Sequence, residues 1–213
     1  DGSGCPVNPT VGRLYAINAT VLTDDLAEYM RSSDQLSPGD IVTIDSDFKN
    51  DGERTYEQLR RSKELGTEKG LDELGIKKTT EKAQKTIVGI ISTKPGITLG
   101  GFEPTEKDYE VTLTGRIPVK ISTESGAIKA GDYITSSSLP GVGMKAAESG
   151  NTIGIALEDF DGGAIATSTY FGGQEVKVGK VIVFLNLGYT KIDSAIAAGM
   201  VQEGTFPDQT TGE

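Results

Sequence analysis

The chain has 213 residues, with 31 acidic against 21 basic side chains and a formal charge of −10. A surface of that sign repels nucleic acid and anionic membranes, and no apolar run approaches the roughly 20 residues of a membrane span, so neither nucleic acid nor membrane insertion is expected. There is no histidine, which excludes a Ser-His-Asp triad, a Cys-His pair and a histidine metal site within the chain and leaves carboxylates, hydroxyls, lysine or a bound ion for any catalysis.

Twenty-eight Gly, eight Pro and no Trp fit many short strands separated by turns. The chain opens at Asp1 rather than Met, so upstream sequence is expected. Residues 1–12 read as a Gly/Pro-rich leader carrying the single cysteine, Cys5, which has no internal disulfide partner. Arg13 to Leu22 alternates, with Leu14 and Ala16 on one face and Tyr15, Ile17 and Val21 on the other. That pattern predicts a first strand, and the leader ahead of it gives it the reach to pair with a neighbouring subunit. Asn18-Ala19-Thr20 is an N-glycosylation triplet, making Asn18 a candidate for modification.

Asp24 to Ser33 is expected to be a short helix or turn, with Asp24 or Asp25 as N-cap and Glu28 in its first turns. Leu36-Ser37-Pro38-Gly39-Asp40 then turns into a strand over 41–44. Residues 46–86 break the β pattern with Lys, Glu, Arg and Thr. Helical spacing predicts one amphipathic helix over about 53–65 and a shorter one over about 69–75, a helical insertion at about 50–80. Ile87 to Ser92 resumes as a strand. Val111 to Ile121 has strand periodicity, with Pro118 suggesting an edge or bulged position. Short strands are expected at 133–135 and 153–157, and Val176 to Leu187 as the most apolar and central strand. A short helix over 192–200 and a polar tail close the chain. The fold class is therefore mainly β: a compact barrel- or sandwich-like domain over 23–190 with a helical insertion, preceded by a leader at 1–22 and followed by the tail at 191–213.

A faint internal repeat runs through this domain. L-S-P-G-D-I-V-T (36–43) echoes I-K-A-G-D-Y-I-T (128–135), and I-V-G-I-I (87–91) echoes T-I-G-I-A-L (152–157). The spacing implies a duplicated strand–turn–strand unit whose first copy carries the charged insertion.

Three groups of residues invite a chemical reading. Asp45-Ser46-Asp47 through Asn50-Asp51-Gly52 suggests a calcium loop, but from Asp47 the third position is Lys49 and the twelfth is Gln58, where an EF-hand needs an oxygen ligand and a glutamate. No metal or cofactor is expected. Ser92 with Lys94, or Ser136–Ser138 with Lys145, offers hydroxyl and amine, although turn serines ordinarily satisfy backbone groups. Asp24, Asp25 and Glu28, with Asp40, group carboxylates; two in one site push one pKa up and so supply both an acid and a base.

D-L-A-E-Y (25–29), P-G-D-I-V (38–42), V-G-I-I-S-T-K-P-G (88–96), L-T-G-R-I-P-V-K-I-S-T-E-S-G-A-I-K-A-G-D-Y (113–133) and I-G-I-A-L-E (153–158) together resemble the peptidase G2 domain. This is the self-cleaving intramolecular chaperone that ends phage tail-appendage, spike and bacterial surface-fibre proteins. The resemblance, over about 22–188, implies a β-rich domain after a fibrous stem that aligns three chains. It also implies cleavage before Asp25 with Glu28 as the catalytic glutamate. Cleaving members place a serine before that aspartate, whereas this chain has Asp24, which lacks a hydroxyl nucleophile. The expected function is thus a homo-oligomeric assembly module, trimeric or filamentous, of an extracellular, cell-surface or virion appendage. Self-cleavage, and filament formation through residues 1–22, are the alternatives. Carbohydrate binding is disfavoured by the absence of Trp.

Overall fold

A computed structural model describes residues 24–49, 74–99, 105–163 and 166–192. Among them there is no helix, and eleven strands form one large mixed sheet. They are β1 (Asp25–Arg31), β2 (Ile41–Asp45), β3 (Gly75–Lys78), β4 (Ile87–Ile91), β5 (Ile97–Leu99), β6 (Asp108–Ser122), β7 (Tyr133–Ser136), β8 (Gly143–Lys145), β9 (Gly150–Ala156), β10 (Thr167–Phe171) and β11 (Gln174–Thr190). The sheet runs β10-β11-β9-β7-β8-β6-β4-β2-β3-β1-β5, and β6 pairs in addition with β11 and with β1. It is not a single closed barrel. The strands double back twice onto β6, making two units that share it.

The expected central strand, Val176–Leu187, lies in β11, but the hub is β6, which pairs with β1, β4, β8 and β11. Proline is tolerated in this hub because of where it falls. Pro118 faces Ile182 of β11, while β1 reaches only to Gly115 and β8 begins opposite Ile121. One side of β6 is therefore unpaired at the residue that has no N–H to donate.

Asp25–Arg31 is a strand, not the expected helix or turn. Its residues pair antiparallel with β6 over Asp25↔Gly115 to Arg31↔Asp108 and parallel with β5 at Leu26↔Ile97. Long-range pairing on both sides outweighs the local N-cap signal. The Asp25 carboxylate accepts from side-chain hydroxyls rather than from helix amides.

The described part of the insertion also departs from the helical reading. Gly75–Lys78 forms β3 against β2, with Ile44 opposite Ile76, and the Phe48 ring lies over Gly75, where a Cβ would be about 2.0 Å from the ring. Gly75 and the buried Ile76 lie in the sheet, where pairing with β2 outweighs the helical spacing, and residues 69–73 of the shorter expected helix lie outside the described residues. The helix expected over 53–65, the strand over 13–22, and the helix and tail after 192 lie outside the described residues, as do Cys5 and Asn18.

The internal repeat is a duplication at the level of single hydrogen bonds. β2 pairs antiparallel with β4 with Val42 opposite Gly89, and β7 pairs antiparallel with β9 with Ile134 opposite Gly154. In the first turn, Ser37 N–H donates to the Asp40 carboxylate, Gly39 N–H to Ile91 O, and Ile91 N–H to Asp40 O. In the second, Lys129 N–H donates to the Asp132 carboxylate, Gly131 N–H to Ala156 O, and Ala156 N–H to Asp132 O. Gly39 (φ +91°) and Gly131 (φ +96°) occupy the same left-handed position. The copies differ in their connections. Residues 46–74 join β2 to β3 where only 137–142 join β7 to β8, and 79–86 replace 146–149 ahead of the next strand.

Each unit has its own buried cluster. Leu36, Val42, Ile76, Ile91 and Val111 fill the first. Ile128, Ile134, Ala156 and Val183 take the matching places in the second, enlarged by Ile117, Val119 and Ile121 of β6 and by Ile41 and Ile90 from the first unit. The far end of β1–β6 is pinned electrostatically. Burial alone would raise the Asp108 carboxyl, but the Thr105 amide and hydroxyl and the Arg31 guanidinium hold it below its ordinary value. A depressed carboxyl contributes stability that is complete above its unfolded pKa, about 4, and is lost as pH falls through the lower folded value. The urea midpoint is therefore expected to fall on acidification below about pH 4, and Asp108→Asn to flatten that slope. A midpoint that stays level into strong acid would contradict this.

Candidate functional site

The carboxylates singled out in sequence do not converge. Asp25 is buried, and its Oδ2 accepts from Ser92 Oγ at 2.7 Å and Thr112 Oγ1 at 2.6 Å. Glu28 lies opposite Val111 of β6 and Leu99 of β5. Val111 belongs to the first unit's core, whereas Thr112, which holds Asp25, points to the other side of the same strand. Asp25 and Glu28 therefore face opposite sides of β1. The Asp40 carboxylate is engaged instead by Lys120 and Lys78.

Asp24 is exposed at the start of β1. Its carbonyl accepts Arg116 N–H at 3.1 Å, and its carboxylate pairs with the Arg116 guanidinium at 2.8 Å. The β6 backbone comes in closely here because Gly115 has φ +123°; a Cβ there would be about 2.2 Å from Asp24 O. A cleft of about 420 Å³ opens beside the Asp24–Asp25 peptide bond, lined by Ser92, Thr93, Lys94, Pro118 and Ile182 among others. The cleft is open and polar at one end. It offers one backbone donor to the Asp24 carbonyl and a hydroxyl, Ser92, that is already committed to Asp25.

The hydroxyl–lysine pairs are not formed. Ser92 donates to Asp25 rather than to a lysine, Ser136 Oγ donates to Glu81 O, and Ser137 Oγ donates to Val142 O. Lys145 pairs with Asp132 at 2.9 Å. Asp45 binds Lys77 at 2.9 Å, and among the described residues no three His, Cys, Asp or Glu side chains gather to hold a metal ion. The partnership of Ser92 and Thr112 with Asp25 carried no sequence signal, since it joins residues 67 and 87 positions apart.

The more prominent surface feature is apolar. β5 and β10 are the two end strands of the sheet, and among the described residues nothing pairs with their outer edges. β5 exposes Ile97 and Leu99, and β10 exposes Phe171 and Tyr170, the latter 75% accessible. Natural sheets usually guard such edges with charge, proline or a covering element.

The chain matches no family model and no curated protein. Two similar solved structures are from bacteriophage phi29. The gene product 12 C-terminal fragment is 19% identical, with a TM-score of 0.43, over 76% of this chain and all of that one. The pre-mature gene product 12 is also 19% identical, with a TM-score of 0.44, over 77% of this chain but only 22% of that longer one.

Proposed function

We propose that this chain is a structural assembly module that brings copies of itself together, as a trimer or filament, within an extracellular fibre, appendage or spike. The observation that carries the reading is the pair of end strands, unpaired on their outer edges among the described residues, with exposed Ile97, Leu99, Tyr170 and Phe171. A strand edge presents a row of unpaired N–H and C=O groups, and large apolar side chains along it favour pairing with another chain over solvation. The resemblance of 113–133 and its flanking blocks to peptidase G2 domains supports the same role. The test is the native mass of the full chain by light scattering. A trimer or larger species is expected, converted to monomer by Tyr170→Asp with Phe171→Asp or by Ile97→Lys with Leu99→Lys. A monomer at high concentration would overturn the reading.

Self-cleavage is the second reading, favoured by the buried Asp25 beside the cleft at the Asp24–Asp25 bond. The denatured mass from the same preparation tests it. A fragment beginning at Asp25, abolished by Glu28→Gln, would establish it, and a fully intact chain would remove it.

A further inference from the structure

The two halves of the duplication treat one sheet face differently. In the first unit, Ala27, Thr112, Ile90 and Ile41 stand side by side across β1, β6, β4 and β2. All four are 0% exposed, and Ile90 and Ile41 pack into the second unit's core. In the second unit, the registers place Arg116, Phe184, Ile155 and Tyr133 in the same order across β6, β11, β9 and β7. Here Phe184 is 45% and Tyr133 42% exposed. Ile182, two positions along β11 from Phe184, extends this face into the cleft of about 420 Å³.

A second uncovered surface lies at the other end of β11. β10 and the start of β11 form a hairpin arm closed by Gly172 (φ +60°) and Gly173 (φ +83°), with Phe171 opposite Gln174. β6 joins β11 only at Val178 and β9 only at Val183, so among the described residues 174–177 pair with β10 alone. Every residue from Tyr170 to Glu175 is exposed. Tyr170 and Phe171 are consecutive and so point to opposite sides of the arm. A two-stranded ribbon with no sheet behind it is marginal by itself, and one with an aromatic ring on each side gains by being enclosed.

Arm and face cannot meet within one chain. Gln174 and Phe184 are ten residues apart on a single strand, about 33 Å. Charge matches the two surfaces between copies. From Asp159 to Glu175 there are three acidic residues and no basic one. Asp159 pairs with Lys129 and Glu175 with Lys177, which leaves Asp161, at the foot of the arm, without a basic partner among the described residues. Beside the face stand two exposed lysines that bind no carboxylate among the described residues: Lys94 in the cleft, and Lys180, two positions along β11 from Ile182. Charges of opposite sign across a contact fix its orientation and speed encounter.

We propose that the β10–β11 arm of one copy docks on the Phe184–Ile155–Tyr133 face of the next, with Tyr170 beside Phe184 and the acidic foot of the arm toward Lys94 and Lys180. This rests on the assembly reading and gives it two complementary surfaces. Because arm and face differ, the contact is heterologous, and it closes as a ring such as a trimer or runs on as a filament. The test mixes two full-chain variants. One has a blocked arm, Tyr170→Asp with Phe171→Asp; the other has a blocked face, Ile182→Asp with Phe184→Asp. Each alone should be a monomer by light scattering. Their equimolar mixture should give a species of twice the monomer mass and nothing larger, because a single arm and a single face remain that can meet. A second readout does not depend on the aspartates. On a Cys5→Ser background, Tyr170→Cys chains and isotopically labelled Phe184→Cys chains should link to each other under mild oxidation at least several-fold faster than either links to itself. If the parent chain assembles but the mixture stays monomeric, or if Tyr170→Cys chains link to themselves as fast, the proposal falls and the assembly reading stands on edge-to-edge pairing. Assembly that survives in either blocked variant would overturn it in the same way. A monomeric parent chain would remove both.

Discussion

Gly154→Val is expected to unfold the protein, and Gly89→Val to do the same. The two glycines are equivalent positions of the duplicated unit, and each lets the next strand pass directly over its Cα. A Cβ on Gly154 would come within 2.0 Å of Phe184 O, and one on Gly89 within 2.4 Å of Thr112 O. Phe184 and Thr112 are themselves equivalent, so both copies use the same close approach. The obstruction is backbone in each case, and no side chain can swing away to relieve it. Gly154 also has φ +151°, in the region that β-branched residues avoid. Separating either strand pair forfeits ladder hydrogen bonds and opens the core, a loss of about 4 kcal/mol or more against a total stability of roughly 5–15 kcal/mol. The control is Gly131→Ala, which has φ +96° but nothing within 4 Å of its Cβ, and should cost only about 1 kcal/mol. Denaturant midpoints by circular dichroism decide it. A cooperative transition for Gly154→Val near the parent midpoint would contradict the strand contact on which the duplication rests.

Asp40→Ala should cost about 3 kcal/mol, and Asp132→Ala only about 1 kcal/mol, although the two aspartates hold the same turn. The difference is burial. The Asp40 side chain is 1% exposed and accepts from Ser37 N–H at 2.8 Å, Lys120 Nζ at 2.5 Å and, less closely, Lys78 Nζ at 3.4 Å. Asp132 is 21% exposed and holds Lys129 N–H and Lys145. Deleting Asp40 leaves two partly buried lysines, Lys120 and Lys78, without their counter-charge and the Ser37 amide without its acceptor, whereas water can replace Asp132. Lys120→Met combined with Asp40→Ala should recover part of the loss, because one of the stranded cations is then gone. Equal destabilisation by the two single substitutions would show that the buried charge cluster adds nothing to the turn.

Several features were determined by the sequence alone, because they depend on neighbours in the chain. Turn chemistry at Ser37–Asp40 and Lys129–Asp132 needs only Gly at a left-handed position and Asp three residues on, so both turns and the repeat between them were legible from spacing. Strands at 41–44, 87–91, 133–135 and 153–157 showed as short apolar runs between such turns, and the mainly β class followed. Tertiary structure alone decided what depends on the partner across the sheet. Asp25–Arg31 carries the local signature of a helix start, yet it is a strand because β5 and β6 flank it. Gly75–Lys78 is a strand because β2 offers Ile44 opposite Ile76. The candidate site divides the same way. Glu28 is three positions after Asp25, a spacing that joins side chains on a helix and parts them on a strand. Exposure, too, was beyond any local pattern: Ile41 and Tyr133 occupy matched positions in matched motifs, yet Ile41 is fully buried because it packs into the second unit's core, while Tyr133 is 42% exposed.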